Sequence, residues 1–300
     1  MTIEAERLPP ALTTISSAHL QADIDPLGAQ LYALRDAAGH DLQWNGDPKI
    51  WSGRAPILFP IVGELAGHRY LLDGKYYPLP RHGFARSKPF ALIDATPSSA
   101  LFRLRWDDET YAAYPFHFDL DIRFTIEDDR LTIAASAENR ECAATMPASF
   151  GFHPALRWPL PYGQPRADHA ITFEADEPEP IRRLDADGLV RPETFPTPLI
   201  GRKLVLRDDL FADDALIFDP IHSRRVRYGA SDGPHLDIAF PDTSTLGLWT
   251  KPGAGYICIE PWHGHADRQG FAGDIRTKPG ITLIAPGETV HWTMAITLRS

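Results

Sequence analysis

From Phe118 to Ile126 the chain alternates without a break. Phe118, Leu120, Ile122, Phe124 and Ile126 are apolar, and Asp119, Asp121, Arg123 and Thr125 between them are polar. A helix, with 3.6 residues per turn, scatters those apolar side chains around its axis, whereas a strand, with period two, lines them up on one face. The pattern recurs. Phe102, Leu104 and Trp106 alternate with Arg103 and Arg105, and Trp292, Met294, Ile296 and Leu298 alternate with Thr293, Ala295 and Thr297. Glu127-Asp-Asp-Arg130 reads as a hairpin turn into Leu131-Thr-Ile133. The opening segment reads strand, turn at Asp25–Gly28, strand, turn at Asp36–Gly39, strand. The 28 prolines among 300 residues exceed the usual share of about 5%. Proline is excluded from helix interiors and central strands, so long helices are not expected. Many short strands, each with one wet face, imply antiparallel sheets; the fold class predicted is all-β, a large antiparallel sandwich.

The chain reads as one domain, 1–300, with its sheet pattern running from about Leu8 and no Gly/Ser linker, repeat or low-complexity stretch to divide it. A formal charge of -10, from 30 Lys+Arg against 40 Asp+Glu, argues against a nucleic-acid partner. The longest apolar run, Ala55–Val62, is far short of the roughly 20 residues of a spanning helix. An N-terminus carrying Glu4 and Glu6 does not read as a secretory signal. With Cys142 and Cys258 as its only cysteines, the chain reads as a cytoplasmic protein with two free thiols. No membrane partner is expected, and the assembly expected is a monomer or homodimer.

Phosphate-binding and dinucleotide motifs are absent. Gly229-Ala-Ser231-Asp-Gly233 fits the spacing of a nucleophile elbow, but Pro234 and the strand-like Leu236–Phe240 follow where that motif needs a helix, so it reads as a hairpin turn. Four other segments place polar groups where an apolar sheet gives them no structural reason. His82 stands beside Gly83 in a loop, where a residue lacking a side chain lets a ligand come close. His153 lies between aromatic residues with Pro154 fixing the chain behind it, a partly desolvated setting that suits proton transfer. Glu260 ends the apolar run Tyr256–Ile259, where burial raises a carboxyl's pKa toward that of a useful base. Trp262 follows as an apolar platform of the kind that stacks on a sugar face. Asp214, beside Ala215 and Leu216, reads as a turn before a strand or as a ligand for hydroxyls. His263 and His265, with His153 or His82 and Glu260, suggest a cupin-like metal set, but carboxylate–histidine chemistry needs no ion, and none is expected.

Taken in order along the chain, these segments resemble the aldose 1-epimerase (galactose mutarotase) family. The resemblance rests on Asp25-Pro-Leu-Gly-Ala29, Ala55-Pro-Ile-Leu-Phe-Pro-Ile-Val-Gly63, Leu79-Pro-Arg-His-Gly-Phe-Ala-Arg86, Phe150-Gly-Phe-His-Pro154, Asp213-Asp-Ala-Leu216, Leu248-Trp-Thr-Lys-Pro252 and Cys258-Ile-Glu-Pro-Trp262, and is nearest to a shorter bacterial branch. It implies a β-supersandwich that binds a small sugar in a cleft on one concave sheet, with no cofactor and no metal. By resemblance the catalytic histidine is His153, the catalytic glutamate Glu260, the second site histidine His82, and the hydroxyl-binding aspartate Asp214. Where the family commonly has an arginine after Pro-Ile-Val-Gly, this chain has Glu64, so Arg54 or Arg86 is expected to supply the positive donor.

The activity expected is interconversion of the α and β anomers of an aldose. Glu260 acts as base, protonated His153 as acid and His82 as a donor to the ring or anomeric oxygen, with Trp249 or Trp262 lending an aromatic face. Two other readings stand beside it. One is a non-catalytic carbohydrate-binding sandwich, which has no need of both His153 and Glu260. The other is an epimerase of a phosphorylated sugar, for which Arg81 and Arg86, flanking His82, offer phosphate ligands.

Overall fold

A computed structural model describes residues 12–300. The expected start of the sheet pattern near Leu8, and the acidic Glu4 and Glu6, lie outside the described residues. Nearly all regular structure is β, as the alternation predicts. Among the described residues the one α-helical segment is Asp108–Ala113, a six-residue turn closed by a capping box between Asp107 and Thr110. No described helix is long and apolar enough to cross a membrane.

Two large sheets carry the molecule. In the nine-stranded sheet Phe118–Glu127, Arg130–Asn139 and Thr289–Arg299 are central neighbours, each paired antiparallel to the next. The turn falls where the sequence places it: Glu127 pairs with Arg130, leaving Asp128 and Asp129 as a two-residue loop, with Asp128 at φ 50°. Phe118, Leu120, Ile122, Phe124, Ile126, Trp292, Met294 and Ile296 are all buried. The opposite face is wet and charged, with Arg103 gripping Asp121 through two bonds of 2.6 Å.

The second sheet, of eight strands, contains Leu216–Phe218, Thr245–Trp249, Tyr256–His263 and Phe150–Phe152 side by side. It packs on the first through a shared core, where the Phe150 ring stacks on Trp292 at 4.7 Å and 10°. Its strands alternate too, but between two covered faces. Phe150, Phe152, Leu216, Phe218, Leu246, Leu248, Ile257 and Ile259 enter the core between the sheets. Ile217, Trp262, Tyr256 and Cys258 belong to two smaller clusters on the outer face. The opening hairpin differs in one detail from its prediction. Leu20–Asp25 and Gln30–Asp36 pair as expected, but Thr13–Ser16 forms the third strand of that sheet, while Asp41 and Gln43 make only isolated bridges. Gly229 to His235 is a turn between paired strands, so Ser231 is not on a nucleophile elbow. Cys142 and Cys258 are both free, the first exposed and the second buried.

Candidate active site

Phe150–Phe152 and Ala155–Arg157 both pair with Tyr256–His263, and they do so in one register. They amount to one strand interrupted at His153 and Pro154. Carried through the interruption, that register sets His153 directly opposite Glu260, and opposite residues of an antiparallel pair project from the same face. The interruption has a cause. Pro154 has no N–H to give the ladder, so at the interruption the Ile259 N–H bonds the Pro154 carbonyl at 3.3 Å and no N–H returns from Pro154. The sequence places Glu260 at the end of a buried strand; the structure places it inside one, which continues to His263.

His153 Nε2 stands 3.1 Å from Glu260 Oε2, and both side chains are buried. They sit at the floor of a cavity of about 230 Å³ on the outer face of the eight-stranded sheet. The cavity is smaller than the roughly 300–1,000 Å³ of drug-sized sites, so its occupant is small. Burial raises the Glu260 carboxyl well above its ordinary range, and the charge of Asp214 raises it further. Burial lowers the His153 imidazole to about 3, and the charges of Arg86 and Arg81 add to the fall. Both shifts favour the uncharged forms of the pair. The protonated His153 expected as the acid is the form that burial disfavours. Apart from the 3.1 Å approach of His153 Nε2, Glu260 Oε2 has no partner among the described residues, and His153 Nδ1 has none, a cost borne at few positions in a folded chain.

His82 is held from both ends by Gly63. Its backbone N–H donates to the Gly63 carbonyl at 2.8 Å, and its Nδ1 accepts from the Gly63 N–H at 3.0 Å. Burial keeps the ring neutral, and its neighbours His153, Arg81 and Arg86 lower its pKa further. With Nδ1 committed as an acceptor, the ring proton belongs on Nε2, the one donor left for a ligand. The role expected of Gly83 is different here. What approaches it closely is the chain itself: a Cβ at Gly83, at φ +71°, would stand 2.2 Å from the Phe59 carbonyl oxygen.

Trp262 lies across the sheet on two glycines. A Cβ on Gly151, its cross-strand partner, would come within 2.7 Å of the indole, and one on Gly247, opposite Glu260, within 2.6 Å. Two residues without side chains leave the room in which an indole can lie flat beside the acid/base pair. Trp249 and Trp51 form a wall, with the Trp51 ring 5.4 Å from both Trp249 and His153. Asp214 lines the cavity, and its exposed neighbour Asp213 does not. Asp214 has φ 64° and caps itself by accepting the Ala215 N–H at 2.7 Å.

The charged rim differs from expectation in two places. Arg54 does not line the cavity: its guanidinium lies 3.8 Å over the Tyr32 ring and donates to the Tyr32 carbonyl at 2.9 Å. Glu64 turns away as well, to the Leu65 N–H at 3.0 Å and His68 Nδ1 at 3.1 Å. Arg81 and Arg86 both line the cavity, and neither forms an ion pair among the described residues. Burial lowers the Arg86 guanidinium, and the like charge of Arg81 lowers it further. The cupin-like set does not assemble. His263 is on the core side, its ring 6.3 Å from that of Trp292, and His265 Nδ1 bonds the Ala266 carbonyl. Trp51, Leu184, Ile217 and Ala266 also line the cavity and have no local sequence signal.

The family profile described as aldose 1-epimerase matches residues 11–296 of the chain. Protein LacX of Lactococcus lactis subsp. lactis is 29% identical over 95% of this chain and 98% of its own length. A solved galactose mutarotase related enzyme from Lactobacillus acidophilus superposes with a TM-score of 0.88 at 29% identity, covering 96% of this chain and 97% of that one. A galactose mutarotase-like protein from Lactobacillus casei gives 0.89 at 27% identity, covering 96% of this chain and all of its own (100%).

Proposed function

Starting from the chain's membership of the aldose 1-epimerase family, we propose that it interconverts the α and β anomers of an aldose by acid/base opening and closing of the sugar ring. The family supports a carbohydrate isomerase. The observation that carries the finer reading is the buried His153–Glu260 pair, 3.1 Å apart on the floor of a small cavity.

Ring opening needs one proton taken from the anomeric hydroxyl and one given to the ring oxygen. The C1–C2 bond then turns, and closure on the other carbonyl face reverses both transfers. A pair that shares one proton meets this need without drawing on solvent. Hydroxyls of a bound sugar donate to the unpartnered Glu260 Oε2 and favour its carboxylate form. The shared proton then passes to His153, which becomes the acid toward the ring oxygen while Glu260 becomes the base toward the anomeric hydroxyl. His82 gives its Nε2–H to the oxygen on which charge develops. Asp214 orients hydroxyls, and the Trp262 indole lies under the apolar face of the ring. Each positioned proton-transfer group contributes about 10²–10⁴-fold. That is enough for a reaction that already proceeds in water.

The test is optical rotation of freshly dissolved α-D-glucose and α-D-galactose with added protein. Faster decay, lost in Glu260→Gln, is expected. Sugar binding without faster decay, for these and other aldoses, overturns the enzyme reading in favour of a carbohydrate-binding sandwich.

One observation favours a second reading, an aldose bearing an anionic group. The guanidiniums of Arg81 and Arg86 face the same cavity without ion-pair partners among the described residues, and their charges reach His153. C6 of a hexopyranose is attached to C5, the carbon beside the ring oxygen that His153 would protonate, so a phosphate or carboxylate at C6 hangs on that side. Arginine forks suit such groups. Glucose 6-phosphate and glucuronate, run beside glucose, test it. Under this reading Arg81→Ala raises KM for the anions and spares glucose, whereas equal effects on all three sugars overturn it.

A further inference from the structure

The reaction leaves one reactive group of the site face unused. Cys258 stands two residues before Glu260 on the same strand, opposite Ala155 as Glu260 is opposite His153. Its thiol therefore shares a face with both. A donor atom from each of His153, Cys258 and Glu260 lies within 4.8 Å of the other two, and all three residues are buried. His153 Nδ1 lacks a hydrogen-bond partner among the described residues, and Glu260 Oε2 has none outside the group. In this desolvated corner burial disfavours the charged form of all three groups, and the thiol and the carboxyl also oppose each other's ionisation. A divalent cation reverses both effects, since it needs the lone pairs of a thiolate, a carboxylate and a neutral imidazole as ligands.

We infer that His153, Cys258 and Glu260 form a binding site for a thiophilic divalent cation, zinc above all, and that occupation of this site switches the enzyme off. The donor set is one sulfur, one nitrogen and one oxygen, which suits zinc and not magnesium or calcium. Three protein ligands leave a fourth position for water or another small ligand, and two of the three, His153 and Glu260, line the cavity. Bonds of about 2.0–2.3 Å require the donors to draw in by about an ångström, within reach of side-chain rotation. The cation takes up the lone pairs of the acid/base pair, so neither residue can exchange a proton with a sugar. Binding releases the thiol proton and, where Glu260 holds one, the carboxyl proton to solvent, so affinity rises with pH. No electron is transferred. Inhibition rests on the proposed roles of His153 and Glu260; cation binding does not.

The experiment uses the full chain, freed of metal with a chelator and titrated with ZnCl₂, MgCl₂ and CoCl₂. The chelated protein is expected to retain full mutarotation. Zinc abolishes it reversibly, and magnesium does nothing. Cobalt, as a spectroscopic stand-in, develops a thiolate charge-transfer band. Cys258→Ala and Cys258→Ser both keep the basal rate, lose the cobalt band, and need at least roughly 10–100-fold more zinc for half-inhibition. Thermal melting confirms that each variant is folded. The cobalt band and zinc calorimetry report on the site even if no sugar is turned over, which separates failure of this inference from failure of the mutarotase reading. No cobalt–thiolate band, equal zinc inhibition of wild type and variants, or loss of activity on chelation that zinc restores would each overturn the proposal.

Discussion

The two large sheets are built from the same alternation and spend it differently. In the nine-stranded sheet the central strands have a core face and a water face, and the water face is filled with paired charges such as Arg103–Asp121 and Arg105–Asp119. Most charged groups there have a partner or a solvent shell; His235 Nδ1 is a buried exception. In the eight-stranded sheet both faces are covered, and the outer one carries Cys258, Glu260 and Trp262 on a single strand. Unpartnered buried atoms collect there, and the two central ionisable groups, Glu260 and His153, are shifted by burial against their charged forms. The first sheet is organised for stability. The second gives up stability where a ligand is to be met, the arrangement expected of a site poised for chemistry.

The sharpest way to break this contrast is Glu260→Gln, whose effects on activity and stability should have opposite signs. Loss of the base costs about 10²–10⁴-fold in rate, read by polarimetry. Burial raises the folded-state pKa of Glu260 above its unfolded value. The stability associated with the neutral form is therefore fully present below about pH 4.3 and is lost as pH rises through the folded value. Glutamine stays neutral throughout. The variant should match wild type near pH 4 and melt higher near pH 8, by on the order of 2 °C. A lower melting temperature at pH 8 would mean that the carboxylate holds the fold together, and the contrast between the sheets would fail.

The converse test lies in the first sheet. Phe124 is fully buried, with its ring 6.1 Å from that of Phe102. Phe124→Ala should cost about 3–5 kcal/mol in chemical denaturation. The protein that remains folded should turn over sugar at close to the wild-type kcat, since Phe124 does not line the site cavity. A smaller effect is expected from Gly247→Ala. The new methyl meets the Trp262 indole and costs about 1–3 kcal/mol if the ring cannot move. If the ring tilts into the cavity instead, KM rises while stability holds. A variant with unchanged KM and unchanged stability would show that the indole does not lie on that glycine.

What the sequence makes legible follows the same division. Alternation is visible in Phe118–Glu127 because water marks one of its faces. Tyr256–Ile259 is apolar throughout because both faces are covered, so the pattern cannot say which side chains share a face with His153. That His153 opposes Glu260 depends on a pairing that spans more than a hundred positions of chain, which no local spacing encodes. The family resemblance names both residues without supplying their register. Arg54 and Arg81 look alike in sequence. Only packing sends one onto the Tyr32 ring and the other to the cavity. Glu64 fills a position that resemblance associates with sugar binding, and its side chain leaves that position for His68. Trp51 has no signal of its own, because its role comes from lying against Trp249 and His153.

The smallest effect expected is on the wet face, and it sharpens the contrast most cheaply. Arg103 holds Asp121 through two bonds of 2.6 Å and stands 3.7 Å from Asp119, a geometry better than most surface pairs have. Arg103→Ala removes one partner from each carboxylate, but neither is stranded. Asp121 is left partly exposed to water, and Asp119, though buried, keeps Arg105 at 3.3 Å and Arg140 at 3.9 Å. Screening and the entropy of long side chains leave such pairs worth about 0–1 kcal/mol. Chemical denaturation should therefore show a loss below about 1 kcal/mol, smaller still at high salt. Mutarotation should not change. A loss as large as that for Phe124→Ala would mean that the charged face is part of the folding core, and that the two sheets differ in chemistry but not in what holds them.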